Sequence, residues 1–321
     1  MKQQIALLSL LTLAIGITVG CGNSNTVPVY SKVAFTSNRS ATPATLLFVS
    51  KLDGTGITPI GNFSSVHSPS TSADFKKIAF TSSNNAFLAK ADGTGQTQLT
   101  TNSQAYFARI SPNGKKVMYS DFSSSPVAFT ISNIDGSGKV NLTPSTLGNG
   151  GCYSGGFSAD SSLVVLACYD GKANSYDLYT MKADGTNSKV VIQSGNTLLD
   201  TPSFTPDNKK IVFYAGGPIS AAHANGGVSF TTEIHSKFHP RQQGTLIPTN
   251  GVTSVNVDGT GATLLVPGSF ESMILNSTLY YTFYSSTLSQ NQIYKSSVDG
   301  TNAVSVSDGT NADQLGLAQS F

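Results

Sequence analysis

The sequence predicts an all-β protein, a six-bladed β-propeller of four-stranded antiparallel blades in which the C-terminal strand completes blade 1. Three observations predict it. A turn phrase built on Asp-Gly recurs at Asp53, Asp92, Asp135, Asp184, Asp258 and Asp299, spaced 39, 43, 49, 74 and 41 residues apart. Repeats of about 40–50 residues belong to propellers or solenoids. A second phrase precedes the first in several units, as in ISPNGKKVMYS from Ile110 and FTPDNKKIVFYA from Phe204. Finally, no long segment beyond the N-terminal run shows the 3.6-residue periodicity of an amphipathic helix.

The N-terminus is read first, because a processing segment is not part of a fold. Met1-Lys2 gives a basic start, and Ile5–Val19 is an apolar run of 15 residues. A bilayer span needs about 20, so this run fits the core of an export signal. It ends in Thr18-Val19-Gly20-Cys21, which resembles a bacterial lipobox, with lipidation expected at Cys21. A plain signal peptide with an incidental cysteine is the competing reading. Residues 1–20 are then the lipoprotein signal peptide, 21–29 a short tether, and 30–321 one propeller domain. Gly22 after the lipid cysteine resembles proteins sent on to the outer membrane.

Within the domain each unit contains two hairpins. Before each Asp the chain alternates, as in FVSKLDG and FLAKADG, and after it comes a second short run such as TQLT or VNLT. Period two marks a half-buried strand. Asp-Gly between two such runs is a strong hairpin signal, because glycine accepts the positive φ of the turn. The SPNGKK-type phrase is the other hairpin, and STSADFKKIAFTS from Ser70 is a weaker copy. Blade 1 begins at SKVAFTS with its second strand, and the C-terminal LGLAQSF matches the first-strand phrase LLDTPSF of blade 5. The C-terminal strand is therefore expected to close the ring and remove its open edges. The 74-residue gap holds one copy of each phrase and is read as one blade carrying an insertion, about 216–251.

These paired phrases resemble the repeats of TolB-type propellers over nearly the whole domain. The resemblance implies a six-bladed ring and a protein partner in the cell envelope. TolB carries an α/β domain ahead of its propeller, so the expectation here is the propeller alone on a lipid anchor.

Composition narrows the function. Without Lys2, 18 basic residues face 17 acidic ones, and the basic residues are scattered, in pairs at most. A nucleic-acid partner would need a basic stripe. The six Asp-Gly acids are read as structural turn residues rather than calcium ligands, since each loop offers one carboxylate and an ion needs several oxygens. Asp74, Asp160 and Asp207 fall in the other turns, and the only glutamates, Glu233 and Glu271, form no pair in sequence. No catalytic residue, metal or cofactor is expected. His223, Glu233, His235 and His239 gather in the blade 5 insertion and form a candidate ligand loop. Imidazoles with a carboxylate suit zinc, but Pro240 follows His239 at once. Cys152 and Cys168 are symmetric about Asp160 in one hairpin, within reach of a disulfide in an oxidising compartment. The alternative is two small buried hydrophobes. The function expected is a monomeric, envelope-anchored scaffold that binds a protein or polysaccharide and touches the membrane through its lipid alone. The alternative is a propeller-fold polysaccharide lyase or hydrolase using the insertion's histidines.

Overall fold

The computed structural model describes residues 29–37, 46–63, 65–101, 105–123, 127–216, 250–307 and 313–314. They form six four-stranded antiparallel sheets arranged as the blades of a propeller. Blade 1 holds β1 (Lys32–Ser37), β2 (Leu46–Lys51) and β3 (Thr58–Pro59). Blade 2 runs through β4 (Val66–Thr71), β5 (Lys77–Ser82), β6 (Asn85–Lys90) and β7 (Thr97–Gln98). Blade 3 comprises β8 (Ala108–Ile110), β9 (Lys116–Asp121), β10 (Ala128–Asn133) and β11 (Val140–Asn141). Blade 4 follows with β12 (Gly151–Phe157), β13 (Leu163–Asp170), β14 (Ser175–Lys182) and β15 (Lys189–Gln193). Blade 5 contains β16 (Leu198–Phe204), β17 (Lys210–Gly216), β18 (Gly251–Asn256) and β19 (Thr263–Pro267). Blade 6 ends the series with β20 (Ser269–Leu275), β21 (Thr278–Ser285), β22 (Gln290–Ser297) and β23 (Val304–Ser305). The last strand, β24 (Asp313–Gln314), returns to blade 1 and pairs with β1.

The second strand of each blade reads as a continuous apolar run because neighbouring blades cover both of its faces. In β13, Val164 to Cys168 are all fully buried, and in β17 Ile211 to Phe213 are likewise. The fourth strands of blades 1, 2, 3 and 6 are only two residues long and exposed. Short outer strands leave little edge for another chain to pair with.

The core is a set of wedges, one between each pair of adjacent blades. Phe107, Phe129 and Met118 of blade 3 pack with Val164, Leu166 and Tyr179 of blade 4. Leu178 and Ile192 meet Ile211 and Phe213 between blades 4 and 5. Val33, Phe35 and Phe48 meet Met273, Tyr280 and Ile293 between blades 1 and 6. This last wedge closes the ring by packing, while β24 closes it by pairing.

The closing register is Thr36 with Gln314 and Ser37 with Asp313. The pairing thus starts just ahead of LGLAQSF, and Leu315–Phe321 themselves lie outside the described residues. Likewise Cys21 and the rest of 1–28 lie outside them, as do His223, Glu233, His235 and His239. The insertion that carries those four residues joins β17 to β18, the second and third strands of blade 5.

Candidate functional site

The two turn phrases are structural devices. In the Asp-Gly turns one carboxylate oxygen accepts from the backbone N–H and the hydroxyl two residues on. Asp53 does so with Thr55 at 2.9 and 2.7 Å, and Asp92 with Thr94 at 2.8 and 2.7 Å. Asp135, Asp184, Asp258 and Asp299 repeat the pattern with Ser137, Thr186, Thr260 and Thr301. These bonds favour the charged form, so all six carboxyls lie below the usual carboxylate range.

The other hairpin has its own repeated lock. Ser72 donates its hydroxyl to Asp74 at 2.7 Å and accepts the Lys77 N–H at 3.1 Å. Ser111 with Asn113, Ser158 with Asp160, and Thr205 with Asp207 do the same. The acids of both phrases are thereby committed to holding hairpins shut.

Cys152 and Cys168 form a disulfide, with their Cα atoms 3.9 Å apart. The hairpin is not centred on Asp160. Ser158 pairs its backbone with Leu163, and Phe157 with Val164, so the centre lies between Asp160 and Ser161. A regular ladder from that centre would set Cys152 against Tyr169. Tyr153 is bulged out instead, and this restores Cys152 to Cys168.

Similar bulges run round the ring's inner strands, in β4, β12, β16 and β20. Ser68, Thr201 and Glu271 sit in them at φ near +50° and are almost fully buried. The distortion turns polar groups between blades. The Ser70 hydroxyl accepts the Ile110 N–H at 2.9 Å, joining blades 2 and 3. Ser154 donates to Asp200 and accepts the Thr201 N–H, joining blades 4 and 5. Thr201 in turn accepts the Ser272 N–H at 3.2 Å, joining blades 5 and 6. Glu271 accepts from Thr282 at 2.9 Å within blade 6.

At the centre these strands leave a cleft lined by Tyr30, Ser70, Arg109, Phe157, Ser203 and Ile274, among others, with a volume of ≈ 70 Å³. Small-molecule sites usually offer roughly 300–1,000 Å³. Three groups at this centre carry the electrostatics. Burial lowers the Arg109 guanidinium to about 10, raises the Asp200 carboxyl to about 6, and raises the Tyr30 hydroxyl to about 12. Each shift opposes the charged form, as expected of groups withdrawn from water. Arg109 stacks over the Phe107 ring at 5.4 Å. His67, near the same strands, is lowered to about 4 by burial. Sequence reading missed Arg109 and Asp200, because each stands in an ordinary strand phrase, FARIS or LLDTPSF, with nothing to set it apart. Among the described residues, no cluster of three or more His, Cys, Asp and Glu side chains is placed to hold a metal, and no helix is long and apolar enough to cross a membrane.

No family model and no curated protein matches this chain. Solved structures do. TolB from Acinetobacter baumannii superposes with a TM-score of 0.63 at 15% identity, over 89% of this chain and 65% of that one. A TolB-type protein from Agrobacterium tumefaciens gives 0.55 at 16% identity, covering 86% of this chain and 88% of its own. An oligogalacturonate lyase in complex with manganese gives 0.50 at 14% identity, over 86% and 73%. This chain therefore spans just under two thirds of the first TolB protein. The likeness lies in the backbone: the chain has the six-bladed β-propeller fold of the TolB proteins.

Proposed function

We propose that this protein is an exported lipoprotein, held in the outer membrane through Cys21, whose propeller is a non-catalytic scaffold for an envelope partner. The central cleft carries this reading. At ≈ 70 Å³ it can admit a side chain or a chain terminus. The carboxylates of the turn phrases are occupied in hairpins. Propellers place binding in the loops around the channel, and the resemblance of the repeats to TolB favours a protein over a polysaccharide.

The test uses the full-length lipoprotein in detergent, cross-linked in envelope extract and also incubated with a panel of acidic polysaccharides. The expected result is one envelope protein retained in stoichiometric amount, with the polysaccharides left intact. Release of unsaturated uronate ends from any of them would overturn the scaffold reading. It would favour a lyase instead, to be assigned to the blade 5 insertion if His235→Ala and His239→Ala abolish the release.

A further inference from the structure

We propose that Arg109 is the anchor of a carboxylate-binding site inside the propeller's central cleft. The site lies within the ring and does not depend on what the rim binds. Arg109 is only 9% exposed. Its Nε and Nη2 atoms are buried and have no hydrogen-bond partner. These two N–H groups form the side-on edge of the guanidinium, the fork that matches the two oxygens of a planar carboxylate. Both prongs are free, and the residue lines the cleft together with Ser70 and Tyr30.

The groups facing Arg109 do not use this fork. Asp200, the acid that acts on it electrostatically, is held through Oδ1 by Ser154 and the Thr201 N–H. Tyr30 is the other titratable neighbour, and its backbone is fixed by Asn276. The Phe107 ring lies 5.4 Å from the guanidinium carbon. Burying a guanidinium costs stability, and at Nε and Nη2 no hydrogen bond offsets that cost here. Such a cost is characteristic of a binding position rather than a structural one. A cleft of ≈ 70 Å³ suits a small carboxylate or the carboxylate end of a longer molecule.

Thermal melts of the full-length protein in detergent, at constant ionic strength, test this with sodium acetate, sodium chloride, a short peptide acid and the same peptide as its C-terminal amide. Acetate should raise Tm saturably and chloride should not. Arg109→Lys, which keeps the charge and loses the fork, should weaken acetate binding about tenfold. Arg109→Met should abolish the response while melting no lower than the wild type. Tighter binding of the peptide acid than of acetate, with none of the amide, assigns a chain terminus as the source; equal binding of the acid and acetate assigns a small free carboxylate. The proposal is overturned if acetate does not act beyond chloride, if Arg109→Lys binds as well as the wild type, or if Arg109→Met melts markedly lower.

Discussion

Cys152 faces Cys168 across β12 and β13 because Tyr153 is looped out of the ladder between them. The bulge also sends the Tyr153 hydroxyl to the Leu199 carbonyl of blade 5. One local irregularity thus sets the register of a disulfide within a blade and a hydrogen bond between blades.

The disulfide closes a loop with a sequence separation of 16 and is fully buried. In the chain-entropy account such a loop contributes about 3 kcal/mol. Urea denaturation of Cys152→Ala/Cys168→Ala should show a loss of that order. The wild type should match the variant only when reductant is present during unfolding. Equal stability of the two proteins in oxidising buffer would show that the bond contributes nothing.

Two turn glycines separate backbone strain from crowding. Gly93 and Gly136 hold the same place in their Asp-Gly turns, at φ of +84° and +81°. A Cβ on Gly136 would meet nothing, whereas one on Gly93 would lie 2.7 Å from the Gly61 backbone. Gly136→Ala should cost about 1–2 kcal/mol for the left-handed conformation alone, and Gly93→Ala clearly more. Denaturant melts that rank the two equally would show that the turn of blade 2 can shift away from Gly61.

These turns were legible from sequence because they are local: Asp and Gly stand at fixed offsets wherever a tight hairpin must form. The blade count and the ring followed from their spacing. The cleft was not legible. Arg109 and Asp200 come from blades 3 and 5, and nothing in their own strand phrases specifies the approach. The bulges that hold Ser68, Thr201 and Glu271 depend on left-handed backbone at residues that do not ordinarily adopt it. Even the cysteine pair was found by symmetry about Asp160, a centre that only the Tyr153 bulge makes equivalent to the real one.

His67 and Asp200 should give opposing pH dependences. Burial lowers His67 from 6.5 to about 4, so the unfolded chain binds more protons in that window and stability falls as the pH falls. Burial raises Asp200 from 3.8 to about 6, so the folded chain binds more protons and stability falls as the pH rises. Each effect is on the order of 2 kcal/mol. The turn carboxyls are lowered and act below this window. Asp200→Asn should therefore expose a loss of stability from pH 6 down to 4, and His67→Gln a loss from pH 4 up to 6. Parallel profiles for the two variants in urea melts across this range would contradict both assignments.

The ring is closed by three devices, and their contributions can be separated. Pairing is the first, joining Ser37 to Asp313 and Thr36 to Gln314. Packing between Phe35, Tyr280 and their neighbours is the second. Polar contacts from blade 6 to blade 1 are the third: Tyr280 and Lys295 both donate to the Leu52 carbonyl, and Asn276 exchanges bonds with the Tyr30 backbone at 2.8 and 3.0 Å. Asn276 sits at φ +56°, so Asn276→Gly keeps the conformation and deletes only the exchange. It should cost about 1–3 kcal/mol, the price of leaving partly buried backbone groups unpaired. Truncation before Asp313 removes the pairing and leaves β1 as an open edge, which invites association with another chain. The truncated protein should melt far lower than Asn276→Gly and should aggregate, because the packing wedge then holds the seam without a strand. Calorimetry with light scattering checks this. A truncated protein that stays monomeric and melts within a couple of degrees of the intact chain would show that the blade 1–blade 6 wedge closes the ring without β24.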